Sequence, residues 1–377
     1  MHLALGGDAH AGDAAMTGGP VLIMAGGTGG HVFPALAVAK VLRERGIGVV
    51  WLGVPASMES RLVPANGFPI EWVRVKGIRG KGAAAWLIAP LRVSGAVMQS
   101  LAVLRRVRPR AVLGAGGYVS GPGGIAAWLM RIPLLIHEQN AIAGFTNRCL
   151  SRLAAVVLEA FPGSFRPGAR AHTIGNPVRA DIAALAEPAV RFAGRGAPAR
   201  LLVFGGSQGA QRLNTLVPQA LARIDPAQRP AVRHQTGERG VEAARAAYRE
   251  LGVEAEVMPF IEDMAGAYAW ADLALCRAGA MTIAELQAAG LGALLVPLAV
   301  ATDDHQTRNA EALVRIGAAR ALPERELTVD SLSRAIAELT AERAQMQRMA
   351  EAARAARNVD AAARLADFCL AAGSSRA

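Results

Sequence analysis

The stretch Val21-Leu22-Ile23-Met24-Ala25-Gly26-Gly27-Thr28-Gly29-Gly30-His31-Val32-Phe33-Pro34-Ala35-Leu36-Ala37-Val38-Ala39-Lys40-Val41 decides the architecture of this 377-residue chain. Its apolar opening, Val21 to Met24, reads as a strand buried on both faces of a parallel sheet. Gly26 to Gly30 read as a turn. The spacing of Leu36, Val38, Ala39 and Leu42 then fits a helix. Strand, glycine turn and helix together make a place for an anion. Glycines let the backbone approach, and unpaired N–H groups at the helix start point at the ligand.

The recipe recurs. Leu201 to Phe204 runs into Gly205-Gly206-Ser207-Gln208-Gly209, followed by a helical pattern through Leu213, Leu216, Val217 and Leu221. Thr28 stands opposite Ser207, and Gly30 opposite Gly209. Two such turns in register predict two similar α/β halves facing one another. The length suits two ordinary domains, and a hydrophobic fraction of 52% gives each a core. Further strands are expected at 48–52, 68–73, 111–113 and 133–136, then near 231–234, 256–258, 272–276 and 294–297. A short helix is expected at 57–63. Residues 161–200, rich in Pro, Gly and Arg, read as the connection between halves, and Ala-rich helices follow from about 324.

The formal charge is +11, supplied almost wholly by arginine, which suits an anionic partner: nucleic acid, a phosphate-bearing substrate or an anionic membrane. Between Val73 and His137 there is no acidic residue. Arg74, Lys76, Arg79, Lys81, Arg92, Arg105, Arg106, Arg108, Arg110 and Arg131 lie there, among Trp86, Leu87, Ile88, Leu91, Val93, Val97 and Met98. An apolar cluster edged with cations fits an anionic bilayer surface. It equally fits a core-packed helix with a solvated basic face. No apolar run reaches the ~18–20 residues of a spanning helix, so the expectation is a soluble or peripheral protein. Residues 1–19 lack a secretory pattern and read as a floppy tail, with Met16 an alternative start. Cys149, Cys276 and Cys369 show neither metal spacing nor a disulfide framework, which points to a reducing compartment.

Two nucleotide-binding classes are excluded by spacing. The dinucleotide fingerprint needs a glycine where Val32 stands, and the strand ending Trp51-Leu52-Gly53 carries no acidic residue. A P-loop needs Lys and Ser/Thr after its last glycine; Gly30-His31 and Gly209-Ala210 lack them. What remains is a pair of phosphate-friendly turns across a cleft. A third helix start follows Arg277-Ala278-Gly279, with Glu285 one turn inside. A carboxylate there can accept both hydroxyls of a ribose while the helix start holds phosphates. Gly116 to Gly124 form another glycine-dense turn, readable as an anion nest or as a tight strand–helix connection. The strand at 133–136 delivers His137-Glu138-Gln139-Asn140 at its C-terminal end, where ligands gather in open α/β sheets.

Gly26-Gly27-Thr28-Gly29-Gly30-His31, Gly116-Gly117-Tyr118-Val119-Ser120-Gly121-Pro122, His137-Glu138-Gln139-Asn140, Gly175-Asn176-Pro177-Val178-Arg179, Gly205-Gly206-Ser207-Gln208-Gly209-Ala210 and Asp304-His305-Gln306-Thr307-Arg308-Asn309-Ala310 occur in this order. Together they resemble the MurG family of peptidoglycan glycosyltransferases, over about residues 21–370. The resemblance implies a GT-B fold: two Rossmann-like doubly wound α/β domains facing across a cleft. It divides the chain into a tail (1–19), an acceptor and membrane-binding domain (20–178) and a UDP-GlcNAc-binding domain (179–358). The last helix, about 359–377, packs back on the first domain.

The implied activity is inverting transfer of N-acetylglucosamine from UDP-N-acetylglucosamine to the C4 hydroxyl of MurNAc in lipid I, giving lipid II. The implied location is peripheral, on the cytoplasmic face of the inner membrane. Lipid I, UDP-GlcNAc, the anionic membrane surface and other cell-wall synthesis proteins are the expected partners, and nucleic acid is not. Inversion needs a base opposite the leaving UDP. His31 is the first choice, with Glu138 able to orient or replace it and Asn140 beside it. Thr28, Gly29, Gly30 and Asn140 would line the donor–acceptor gap. By resemblance, Ile261 offers backbone contacts to uracil, Glu285 holds the ribose and Gln306 the sugar hydroxyls. The helix start Ala280, Met281, Thr282, Ile283, Ala284 and Glu285, with Ser207 and Arg179, would stabilise leaving-group charge. Asp303-Asp304 are adjacent rather than spaced for a metal, so no cofactor and no obligatory metal is expected. The competing readings are another GT-B enzyme, such as a UDP-sugar epimerase or a transferase for a small acceptor, and a non-enzymatic nucleotide-sugar sensor.

Overall fold

The computed structural model describes residues 18–75, 82–206, 209–298 and 304–374, with the backbone alone for 82–90. Ser207, Asp303, Lys76, Arg79, Lys81 and the tail up to residue 17 lie outside the described residues, as do the side chains of Trp86, Leu87 and Ile88.

The first lobe runs β1 (Val21–Met24), α1 (Gly29–Glu44), β2 (Val49–Gly53), α2 (Glu59–Ala65), β3 (Ile70–Trp72), α3 (Gly82–Val107), β4 (Ala111–Gly114), α4 (Ser120–Leu129), β5 (Leu134–Glu138), α5 (Phe145–Leu150), β6 (Val156–Glu159) and β7 (His172–Thr173). The second runs α6 (Ala180–Ala183), α7 (Pro188–Phe192), β8 (Arg200–Phe204), α8 (Gln211–Ala222), β9 (Ala231–Gln235), α9 (Val241–Glu250), β10 (Glu256–Met258), α10 (Met264–Trp270), β11 (Leu273–Cys276), α11 (Ala280–Ala289), β12 (Ala293–Leu295), α12 (His305–Arg315), β13 (Ala319–Ala321), α13 (Val329–Ala341) and α14 (Arg343–Ala355). A final helix, α15 (Ala361–Ser374), follows.

Each lobe is a parallel sheet with helices on both faces. The orders are β3-β2-β1-β4-β5-β6-β7 and β10-β9-β8-β11-β12-β13. Every residue of β1 is fully buried, as a strand covered on both faces must be. Ile23 pairs with Trp51 on one side and Leu113 on the other. The first core has two halves: α1 and α15 cover one face of the sheet, α3 and α4 the other. In both lobes strand order reverses beside the first strand, between β1 and β4 and between β8 and β11. Ligands bind at such switch points, at the C-terminal strand ends. Both glycine turns quoted above sit there.

Strands β6, β7 and β13 were not anticipated, and residues 161–200 contain β7, α6 and α7 rather than a bare connection. Gly19 belongs to the folded lobe: its carbonyl accepts a bond from Arg110 Nε at 2.7 Å.

The chain crosses between lobes twice. Ile174 is still in the first core and Ile182 already in the second. Ala353 is in the second core, whereas Leu365, Ala366 and Cys369 of α15 pack with β1 and α1 in the first. The two crossings touch. Gly175 has φ +83°, and a Cβ there would collide with the side chain of Asn358.

Candidate active site

The first switch point brings three loops together. After β1, the chain turns through Gly26 and Gly27 into α1, whose N-cap is Thr28. Thr28 is extended, its carbonyl accepts from the N–H groups of His31 and Val32, and its hydroxyl makes no capping bond. The N–H groups of Gly29 and Gly30 are therefore left at an open helix start. The turn after β4 packs directly on this one. A Cβ at Gly117 (φ +89°) would strike the Gly26 carbonyl, and one at Gly116 (φ +99°) would lie 2.5 Å from His31 Nδ1. Only glycine lets the His31 ring and the two turns come so close.

The His31 imidazole is half-buried, and its Nδ1 makes no hydrogen bond. Burial pushes its pKa below the ordinary histidine value. The charge of Glu138, the Gln139 side chain, the Ala115 carbonyl and the charge of Glu59 oppose that shift. Burial thus favours the neutral imidazole.

Strand β5 supplies the third loop. Glu138 is 3% exposed and accepts four bonds: Asn140 N–H (3.0 Å) and Nδ2 (3.1 Å) on one oxygen, Gly144 N–H (3.0 Å) and Asn147 Nδ2 (2.9 Å) on the other. A carboxylate offers about four lone-pair sites, and all are engaged. These four bonds hold Asn140, Gly144 and Asn147 in place around Glu138. His137 donates from Nε2 to the Gly175 carbonyl at 3.0 Å, which leaves Nδ1 to accept from Gln139 Nε2 at 3.3 Å. Burial depresses its pKa to about 4.

The second switch point holds a cavity of about 510 Å³, lined by Gly206, Gly209, Arg277, Gly279, Thr282 and Gln306 among others. Helix α11 begins there. Gly279, its N-cap, has no side chain to cap with. The first internal bond is Ile283 N–H to Gly279 O, so the N–H groups of Ala280, Met281 and Thr282 are open. Ile283 and Ala284 differ from these three in that their N–H groups are spent inside the helix; the Ile283 side chain is buried in the core around Tyr268. Neither lines the cavity.

Glu285, one turn in, accepts from Tyr268 Oη at 2.9 Å. Burial raises its pKa, opposed by that bond and by the Arg179 charge. Arg179 lies 3.5 Å from Asp181, yet its buried Nε and Nη2 make no hydrogen bond. Gln306 Oε1 accepts from Leu298 N–H at 2.9 Å, leaving its amide NH2 as the donor group. Ile261 sits half-buried in the loop between β10 and α10, packed against the core around Tyr268, and is not among the residues lining the cavity.

Helices α1, α4, α8, α11 and α12 all start without a side-chain cap and without an acidic residue in the first turn. Elsewhere α13 has a capping box of Thr328 and Ser331, and Asp263 caps α10, whereas α7 and α14 also start without either device. Five open helix starts at the cleft leave donors and positive dipole ends for an anionic ligand.

The lobes meet through Asn309, a fully buried residue of α12. Its Oδ1 accepts from Ala141 N–H at 2.9 Å; its Nδ2 donates to Asn140 Oδ1 at 3.4 Å and to Ala278 O at 3.1 Å. One amide thus ties the Asn140 loop of the first lobe to the residue just ahead of α11 in the second. Helices α1 and α11 approach each other at the same junction. Asn309, Tyr268 and Glu59, which bonds the first glycine turn, had no role assigned from sequence. Asn309 alone lay inside a quoted motif.

Facing doubly wound lobes with open helix starts at both switch points define a GT-B glycosyltransferase. The glycosyltransferase family 28 N-terminal domain matches residues 21–159, and the family 28 C-terminal domain residues 200–365. The chain is 57% identical over 351 residues to the UDP-N-acetylglucosamine–N-acetylmuramyl-(pentapeptide) pyrophosphoryl-undecaprenol N-acetylglucosamine transferase of Alkalilimnicola ehrlichii, covering 93% of this chain and 98% of that one. The same transferase of Nitrosococcus oceani is 56% identical over 350 residues, with the same coverage. The crystal structure of Acinetobacter baumannii MurG superposes with a TM-score of 0.82 at 41% identity, covering 94% of this chain and 99% of its own. The calicheamicin glycosyltransferase CalG4, 17% identical with a TM-score of 0.66, shares the fold. The chain belongs to glycosyltransferase family 28, in its MurG branch.

Proposed function

We propose that this protein transfers N-acetylglucosamine from UDP-N-acetylglucosamine to the C4 hydroxyl of MurNAc in lipid I, forming lipid II with inversion. The carrying observation is the junction itself. Asn140, on the same lobe as His31, is joined through Asn309 to Ala278, just ahead of α11 on the other lobe. The names of relatives more than half identical supply the substrates.

In this reading His31 takes the C4 proton as the hydroxyl attacks the sugar carbon, and UDP leaves from the opposite face. Asn140, fixed by Glu138 and Asn309, positions the acceptor, with Thr28, Gly29 and Gly30 lining the gap. The open N–H groups of Ala280, Met281 and Thr282, with the Arg179 guanidinium, receive the charge that develops on the diphosphate. Ser207 belongs with them by sequence. Glu285 holds the ribose, Ile261 the uracil and Gln306 the sugar hydroxyls. In this reading these residues do the work an obligatory metal would otherwise do; chelation with EDTA should leave turnover unchanged. The start of α4, in the turn after β4, is suited to the acceptor pyrophosphate.

The protein acts at the cytoplasmic face of the inner membrane, docked peripherally. No helix among the described residues is long and apolar enough to cross a membrane. On the first lobe Leu91, Met98, Trp128 and Leu129 are exposed, on two helices packed together. Arg92, Arg105, Arg106 and Arg131 are exposed beside them. Apolar side chains edged with cations suit an anionic bilayer.

The deciding assay combines radiolabelled UDP-N-acetylglucosamine with a lipid I analogue. Wild-type protein should yield the disaccharide, and His31→Ala should lose about 10²–10⁴-fold in kcat while still binding UDP. Donor binding without product in the wild type would instead identify a sensor.

A further inference from the structure

Beneath the first glycine turn lies a carboxylate that the mechanism above does not use. Glu59, the first residue of α2, is 0% exposed. One of its oxygens accepts from Gly27 N–H at 3.1 Å, the other from Val54 N–H at 3.1 Å. It forms no ion pair with any described residue. The fit is tight: a Cβ on Gly26 would lie 2.5 Å from Glu59 Oε1. A buried carboxylate without a cation is expensive unless its hydrogen bonds do specific work. Here both bonds go to backbone N–H groups, one of them in the turn that carries Thr28 to His31. The same turn supports Gly117 from its other side, so the two acceptor-side loops rest on one carboxylate.

We propose that Glu59 is a positioning residue for the transfer reaction: it pins the Gly26–Gly27 turn from below, so that His31 and the open N–H groups of Gly29 and Gly30 are held toward the acceptor. This rests on the reading of His31 as base. The groups acting on the His31 ring are the Glu138 and Glu59 carboxylates, the Gln139 amide and the Ala115 carbonyl. Two negative charges therefore favour the imidazolium that forms when His31 takes the proton, and Glu59 is one of them. It acts twice, by bonds that fix geometry and by charge.

Two substitutions separate these. Glu59→Gln removes the charge and turns an acceptor into a donor. Glu59→Asp keeps the charge on a shorter side chain that cannot span Gly27 and Val54. For each, the thermal midpoint, UDP binding by calorimetry, KM for both substrates and the pH profile of kcat/KM are measured against wild type and His31→Ala. In both variants kcat should fall about ten- to a hundredfold, with UDP affinity unchanged because the donor lobe is untouched. The acid limb of the profile should move to lower pH in Glu59→Gln and stay in place in Glu59→Asp. A Glu59→Gln enzyme with wild-type kcat and an unmoved limb would overturn the proposal. So would a loss of UDP affinity in step with the thermal midpoint, which would mark a general folding role. Wild-type turnover in His31→Ala would sink the base assignment and with it the charge role of Glu59. The fall in kcat of both Glu59 variants would then still place Glu59 under the turn.

Discussion

At the residue scale the acceptor side of the site is built from neutral or fully partnered groups, while the Arg179 guanidinium on the donor side keeps unbonded donors. His137 and His234 show what a buried neutral ring does to stability. Burial lowers the first to about 4 and the second to about 3, against an ordinary 6.5. Between 6.5 and those values the unfolded chain binds protons that the folded chain refuses. Stability is thus full above 6.5 and drains away as pH falls. At about 1.4 kcal/mol per pH unit for each group, the two together should cost roughly 4 kcal/mol between pH 7.5 and pH 5. Urea midpoints at the two pH values measure this. His234→Phe, which removes one of the two groups, should roughly halve the loss; an unchanged loss would show that the His234 ring is not held neutral by burial. The roles of single residues were unevenly legible. His31 and Glu285 announce themselves by following a glycine turn or a helix start. Glu59 and Asn309 do not, because their partners lie 32 and 168 positions away in sequence, where no local pattern can report them.

At the scale of elements, the working parts are helix starts with their usual stoppers left out. An isolated helix is stabilised by a cap and an early acid, and α13 has the full set. The cleft helices forgo both. This trade can be reversed at α11. Thr282→Asp puts a carboxylate in the first turn, facing the cavity. It should stabilise the fold by a few tenths of a kcal/mol to about 1, seen as a slightly higher thermal midpoint, while weakening UDP binding at least tenfold. Calorimetry with UDP and a melting curve on the same sample read both. Unweakened binding would mean that the start of α11 does not hold the diphosphate. The strands beside these helices were readable because buried parallel strands are continuous apolar runs that break into glycine. β7, with two residues, and β13, with three, were not. They are short edge strands, and their pairing to a neighbour, not their own pattern, makes them strands. The six-residue run from Ala280 to Glu285 was legible as a helix start but not as two functions. Only the first three residues have open N–H groups, a distinction set by the hydrogen-bond ladder.

At the scale of the molecule, two lobes with separate cores meet over a small polar junction, and Asn309 is its centre. Asn309→Ala should leave UDP binding intact, since its side chain does not line the donor cavity, yet lower kcat by at least tenfold by freeing Asn140. X-ray scattering on the same variant should show a larger radius of gyration than wild type. Equal scattering and equal kcat would show that the lobes do not depend on this amide. The sequence repeat foretold two halves and their facing turns. It said nothing of how the halves are joined, because the joint is made by residues without counterparts in the repeat. That joint includes the place where Gly175 and Asn358 touch, the outgoing and returning strands of the chain side by side. Such a molecule is bound like a book along one spine. A joint of that form predicts that the lobes move as covers on a hinge about this line rather than by sliding past each other.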